Sequence, residues 1–141
     1  MTWKLTSMSG SFINGCPVRL DLPRSLESIH LLDVVISEML DLLKIDKHIR
    51  HQINLAVIEA GTNAVKHGNT ASSNSHIRFE FRAAVDKITI VIRDSGPDVY
   101  PIHVENNDLW RSSGRGLQLI NAYMDEVNYE RTGITMVKRI S

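Results

Sequence analysis

A single cysteine, Cys16, stands in 141 residues. It excludes a disulfide within the chain and any zinc site built from cysteines. Six histidines are scattered, and His48 and His51 lack the spacing of a full zinc site. No apolar run approaches the roughly 20 residues that a membrane helix needs, and the opening MTWKLTSMSGSFING lacks the apolar region of a secretory signal. No sign of charge dominates, because 16 Lys and Arg balance 16 Asp and Glu. Non-specific binding to nucleic acid or to anionic membranes rests on a basic surplus, so neither is expected. Repeats and low-complexity tracts are also missing. What is present is a 43% hydrophobic composition, enough for a core that needs no staples. The expectation is one globular cytoplasmic domain spanning residues 1–141.

The hydrophobic period changes along the chain. Two short strands are expected near Trp3–Thr6 and Pro17–Leu22, with Asn14-Gly15 as a turn between them. Ser25 is placed to cap a helix reaching Leu43, whose apolar positions Ile29, Leu32, Ile36, Met39, Leu40 and Leu43 follow helical spacing. A second helix is predicted from Asp46 to His67, with Gly68 as its stop and Ile49, Ile53, Val57, Ala60 and Ala64 as its core stripe. Strict alternation then predicts strands through Ile77–Ala83 and Ile88–Ile92, linked by Asp86-Lys87. A polar segment follows, then a short helix at Gly116–Tyr123, then strands Glu126–Arg131 and Ile134–Ile140 joined through Thr132-Gly133. This order predicts an α+β fold, a two-layer sandwich with helices on one face of a mixed, mostly antiparallel sheet.

Glu59, Asn63 and His67 are four residues apart and share one strip of the second helix. The strip borders the apolar stripe, where a carboxylate and an amide are costly unless something pairs with them. A magnesium-bound nucleotide would satisfy both. An amide oxygen is a hard ligand for Mg²⁺, and a carboxylate can accept a proton from an attacking hydroxyl. By itself the strip is equally an ordinary solvated helix face. Asp94-Ser95-Gly96-Pro97 ends a strand. It is either a plain turn or a carboxylate that accepts from an exocyclic amine, with Gly96 admitting a flat ring. Ser113-Gly114-Arg115-Gly116-Leu117 opens a helix, where exposed N–H groups suit phosphate. Neither the dinucleotide fingerprint nor the P-loop spacing is present.

In order, these segments carry a family resemblance. Glu59-Ala-Gly-Thr-Asn63-Ala-Val-Lys-His67-Gly68 resembles the N-box of the GHKL (Bergerat) ATP-binding superfamily, Asp94-Ser-Gly96-Pro its G1 box, and Ser113-Gly114-Arg115-Gly116-Leu117-Gln-Leu-Ile120 its G2 box. With the tail Met124-Asp125-Glu126-Val127, the pattern is similar to the anti-sigma-factor serine/threonine kinases over roughly Asp21 to Ile140. The resemblance implies that ATP and Mg²⁺ are the cofactors and that Asn63 binds the metal. It implies Glu59 as general base, Asp94 as reader of the adenine amine and Gly96 as the space for the ring. Gly114, Arg115, Gly116 and Leu117 would hold phosphates, Thr135 would help bind adenine through water, His67 matches a further family position, and residues 98–113 would form the ATP lid.

The implied activity is phosphorylation of a serine on a STAS-domain anti-anti-sigma protein, with sequestration of a sigma factor by a homodimer. The alternatives are a module that binds or phosphorylates a STAS protein without holding a sigma factor, or an interaction module without catalysis. Two departures bear on these. Asp98 replaces the second glycine of the usual DxGxG, and the first helix carries Glu27, Glu38, Asp33 and Asp41 but no Lys or Arg where the family uses a basic residue for sigma binding.

Overall fold

Alternating apolar residues build one face of a sheet. The computed structural model describes residues 17–67, 76–94, 115–130 and 132–140, with His67 and Arg115 described by backbone alone. Its strands are β1 (Val18–Pro23), β2 (His76–Ala83), β3 (Lys87–Asp94), β4 (Glu126–Glu130) and β5 (Gly133–Arg139). Its helices are α1 (Leu26–Leu42), α2 (Lys47–His67) and α3 (Arg115–Tyr123). The predicted strand at Trp3–Thr6 and the predicted lid at 98–113 lie outside the described residues.

The strand order is β1-β2-β3-β5-β4. The sequence predicts a mixed sheet, but among the described residues every pairing is antiparallel. Ile77, Phe79 and Phe81 of β2 and Ile88, Ile90 and Ile92 of β3 are fully buried on the face that α2 covers. The intervening Arg78 and Arg82 are exposed. Lys87, expected in the hairpin link, already belongs to β3, because its carbonyl accepts from Ala84 N–H at 2.8 Å and pairing begins there.

The helices supply the second layer. Leu32, Ile36 and Leu40 of α1, Ile53, Ala56, Val57, Ala60 and Ala64 of α2, and Ile120 of α3 join the strand residues in one cluster. Each large side chain in it contributes about 1.5–3 kcal/mol by leaving water. Ile49 and Leu43, expected in the stripes, are only half-buried at the helix ends. Small residues on α2 bring its neighbours close: a Cβ on Gly61 would lie 3.0 Å from Ile29 Cδ1.

The ends of α1 are built differently from the expectation. Ser25 holds the cap position, but its side chain makes no capping bond. Instead its hydroxyl meets that of Ser28 at 3.4 Å, and Ser28 Oγ donates to the Pro23 carbonyl at 2.6 Å. At the other end no glycine is available, so Lys44 adopts φ 56°. Ile45 N–H then donates to Leu40 O at 3.1 Å, which closes the helix as a glycine would.

Candidate functional site

Three polar residues among those described are buried backbone and side chain together: Ser28, Asn63 and Asp94, at 5%, 4% and 6% exposure. Ser28 is accounted for by the Pro23 carbonyl. The other two are residues that the sequence singles out for chemistry.

Asn63 is buried because of its place in the helical period. It follows Ile53, Ala56, Val57 and Ala60 along the stripe that α2 turns to the core. Glu59, one turn earlier, is half-buried on the flank of that stripe. The two functional groups thus occupy adjacent turns, about 6 Å apart along the axis. His67 closes the same helix. The carboxylate and the amide oxygen make a sparse, hard donor set. Among the described residues no group of three His, Cys, Asp or Glu side chains converges, so no protein cage for a cation is formed by them. One amide oxygen suits an ion that keeps waters and phosphate oxygens as its other ligands, which is the habit of Mg²⁺.

Asp94 terminates β3 on the helix-covered face, in phase with Ile88, Ile90 and Ile92. Its N–H donates to the Thr132 carbonyl at 2.6 Å, which pins the strand end against the β4–β5 turn. Its carboxylate oxygen Oδ2 accepts from Arg24 Nη2 in a salt bridge whose side chains are 3% and 8% exposed. Sequence reading does not single out Arg24, since nothing local distinguishes a basic residue between a strand and a helix. Only the pairing of β1 with β2 and of β2 with β3 brings it near Asp94.

The third segment is the start of α3. Gly116 and Leu117 lie in its first turn, where N–H groups have no intrahelical acceptor. The Leu117 side chain is buried in the core at 7% exposure, so only its backbone is available to a ligand. α3 packs against α2, which brings the glycine-led helix start and the Glu59–Asn63 helix into one layer. Arg115 is the first residue of α3. Gly96 and Gly114 lie outside the described residues.

Thr135 is a correction. It pairs with Val91 and Asn128, while its neighbours Ile134 and Met136 are buried in the core. Alternation therefore puts Thr135 on the open face of the sheet, away from Asn63 and Asp94, and Ile134 on the helix-covered face. The sequence pattern already held that signal, since Ile134 and Met136 are the apolar members of the alternation.

The profile of the histidine kinase-like ATPase domain family matches residues 22–138. Curated relatives include the serine-protein kinase RsbW of Staphylococcus aureus strains JH9 and Newman. Each is 33% identical to this chain over 132 residues, covering 84% of the chain and 82% of the relative.

Proposed function

Since the chain belongs to the histidine kinase-like ATPase domain family, on its anti-sigma-factor serine-kinase branch, we propose that it transfers the γ-phosphoryl group of ATP to a serine of a STAS-domain partner in the cytoplasm, and that a homodimer of it also holds a sigma factor. The burial of Asn63 beside Glu59 on α2 carries this reading. A family relationship alone leaves the chemistry open, whereas a buried amide oxygen and a carboxylate one turn apart suit phosphoryl transfer, which needs positioning and charge neutralisation.

In this mechanism Asn63 would hold Mg²⁺ through its side-chain oxygen. When bound, the ion supplies neutralisation of phosphate charge. Glu59 accepts the proton of the serine hydroxyl as its oxygen bonds to the γ-phosphorus, and ADP leaves. The first-turn N–H groups of α3, around Gly116 and Leu117, receive phosphate oxygens with the helix dipole behind them. The resemblance adds Gly114 and Arg115 as further phosphate contacts and Gly96 as the residue that would admit the adenine ring. Asp94 accepts from the adenine amine, and His67 has no assigned step.

The test is direct. Purified protein is mixed with γ-labelled ATP, Mg²⁺ and a STAS-domain protein. Label on a serine of the partner is the expected result. Nucleotide binding with no label on any STAS partner would favour a non-catalytic module, for which Asp98 in place of the second G1 glycine is the supporting feature. Sigma binding is scored separately by co-purification, because α1 presents Glu27, Asp33, Glu38 and Asp41 and no Lys or Arg.

A further inference from the structure

Arg24 is placed by the sheet. Leu22, Ile77 and Asp94 form one row across β1, β2 and β3. Two strand spacings separate the outer members of that row, about 10 Å. Arg24 follows Leu22 by two residues, just beyond the end of β1, and its long side chain spans the distance to Asp94. The backbone that carries it is tied down. Ser25 N–H donates to Pro23 O at 2.9 Å, Ser28 N–H to Ser25 O at 3.1 Å, and Ser28 Oγ to Pro23 O at 2.6 Å.

The pair is unlike those on the surface. Arg50–Asp41 and Arg93–Glu130 leave their side chains 31% to 69% exposed, whereas Arg24 and Asp94 are 8% and 3% exposed. Arg24 is not the hub of a framework network either, because its Nε and Nη1 are buried with no hydrogen-bond partner among the described residues.

We propose that Arg24 is the positioning residue for the carboxylate of Asp94: it holds that group charged and aimed in a water-poor place, and so sets the site's preference for a base with an exocyclic amine. The proposal rests on the nucleotide reading above. An incoming amine does not replace Arg24, because breaking a buried ion pair costs more than a hydrogen bond from a neutral donor returns. It does not need to, because a carboxylate accepts at several positions at once. Arg24 therefore stays on Asp94 while the base is read.

Calorimetric titrations with ATP and with purine riboside triphosphate, which lacks the amine, test this in the wild type, Arg24→Gln, Arg24→Lys, Asp94→Asn and the Arg24→Gln/Asp94→Asn double variant. The wild type should prefer ATP by about 10- to 100-fold, the worth of one hydrogen bond to a charged acceptor. Arg24→Gln should bring the two affinities within about threefold of each other, chiefly by weakening ATP, and Arg24→Lys should keep part of the preference. In the Asp94→Asn background, Arg24→Gln should change the ratio no further, as expected of two residues acting through one contact. If Arg24→Gln folds poorly, Arg24→Lys, which keeps the charge but not the planar fork, still carries the test: an ATP preference reduced below wild type is expected, and the full wild-type ratio overturns the proposal. An Arg24→Gln protein that retains the wild-type ratio, or that weakens both ligands equally, overturns the proposal and leaves ATP binding standing. A wild type that binds neither nucleotide overturns the proposal and the nucleotide reading together.

Discussion

Replacing Asp94 by alanine should cost stability before any nucleotide is added. The substitution leaves the Arg24 guanidinium, 8% exposed, without its counter-charge. Neither partner is exposed enough for solvent screening to discount the effect. Breaking a buried pair from one side costs about 3–5 kcal/mol. A domain of this size has about 5–15 kcal/mol in total, so about a fifth or more of the stability is at stake. The corresponding fall in Tm is about 10–20 °C. Urea unfolding followed by circular dichroism, without nucleotide, measures the free-energy loss, and a thermal melt measures the fall in Tm. The double variant Asp94→Ala/Arg24→Met removes the stranded charge and should regain at least half of the loss, since apolar replacements of buried pairs are often neutral or stabilising. A loss below about 1 kcal/mol in the single variant, or a double variant no more stable than the single, would refute the view that the pair is a buried charged unit.

Glu59→Gln should leave ATP affinity within about threefold of wild type while phosphoryl transfer to the partner falls by about 10²–10⁴, the usual worth of a general base; transfer at the wild-type rate would remove Glu59 from that role. Asn63→Ala should abolish Mg²⁺-dependent labelling, and a Mg²⁺ titration of ATP binding in the variant should be flat. Gly133→Ala should destabilise the chain by about 1–3 kcal/mol or more, the range for overpacking, because a Cβ there would stand 2.2 Å from the Ile92 carbonyl oxygen and 2.9 Å from Arg93 Cα. Thermal melts check this last case, and an unchanged Tm would show that β3 and β5 can part without cost.

Most elements were legible because each has a clear period. The alternation in β2 and β3 and the 3.6-residue stripes of α1 and α2 match the observed spans to within one or two residues. Helix ends were less legible. Ser25 looks like an ordinary cap, yet its hydroxyl turns to Ser28, because the chain must also hold the Pro23 turn. The end of α1 has no glycine to announce it, and Lys44 takes the left-handed conformation instead.

The site divides along the same line. Asn63 and Asp94 stand out as polar residues inside an apolar period, but singly they and Glu59 read equally as helix face or turn, and only the order of the three motifs and the family resemblance proposed them as a site. Thr135 was misplaced by resemblance, although its own alternation with Ile134 and Met136 assigns it to the open face.

The sequence alone determined the α+β architecture, the buried stripes and the family, all of which depend on local periodicity and on short ordered motifs. The partnership of Arg24 with Asp94 came only from folding, because it joins residues 70 positions apart. That contact depends on which strands lie side by side and in what register. Strand order is a property of the whole packed sheet, and no local pattern in the chain encodes it.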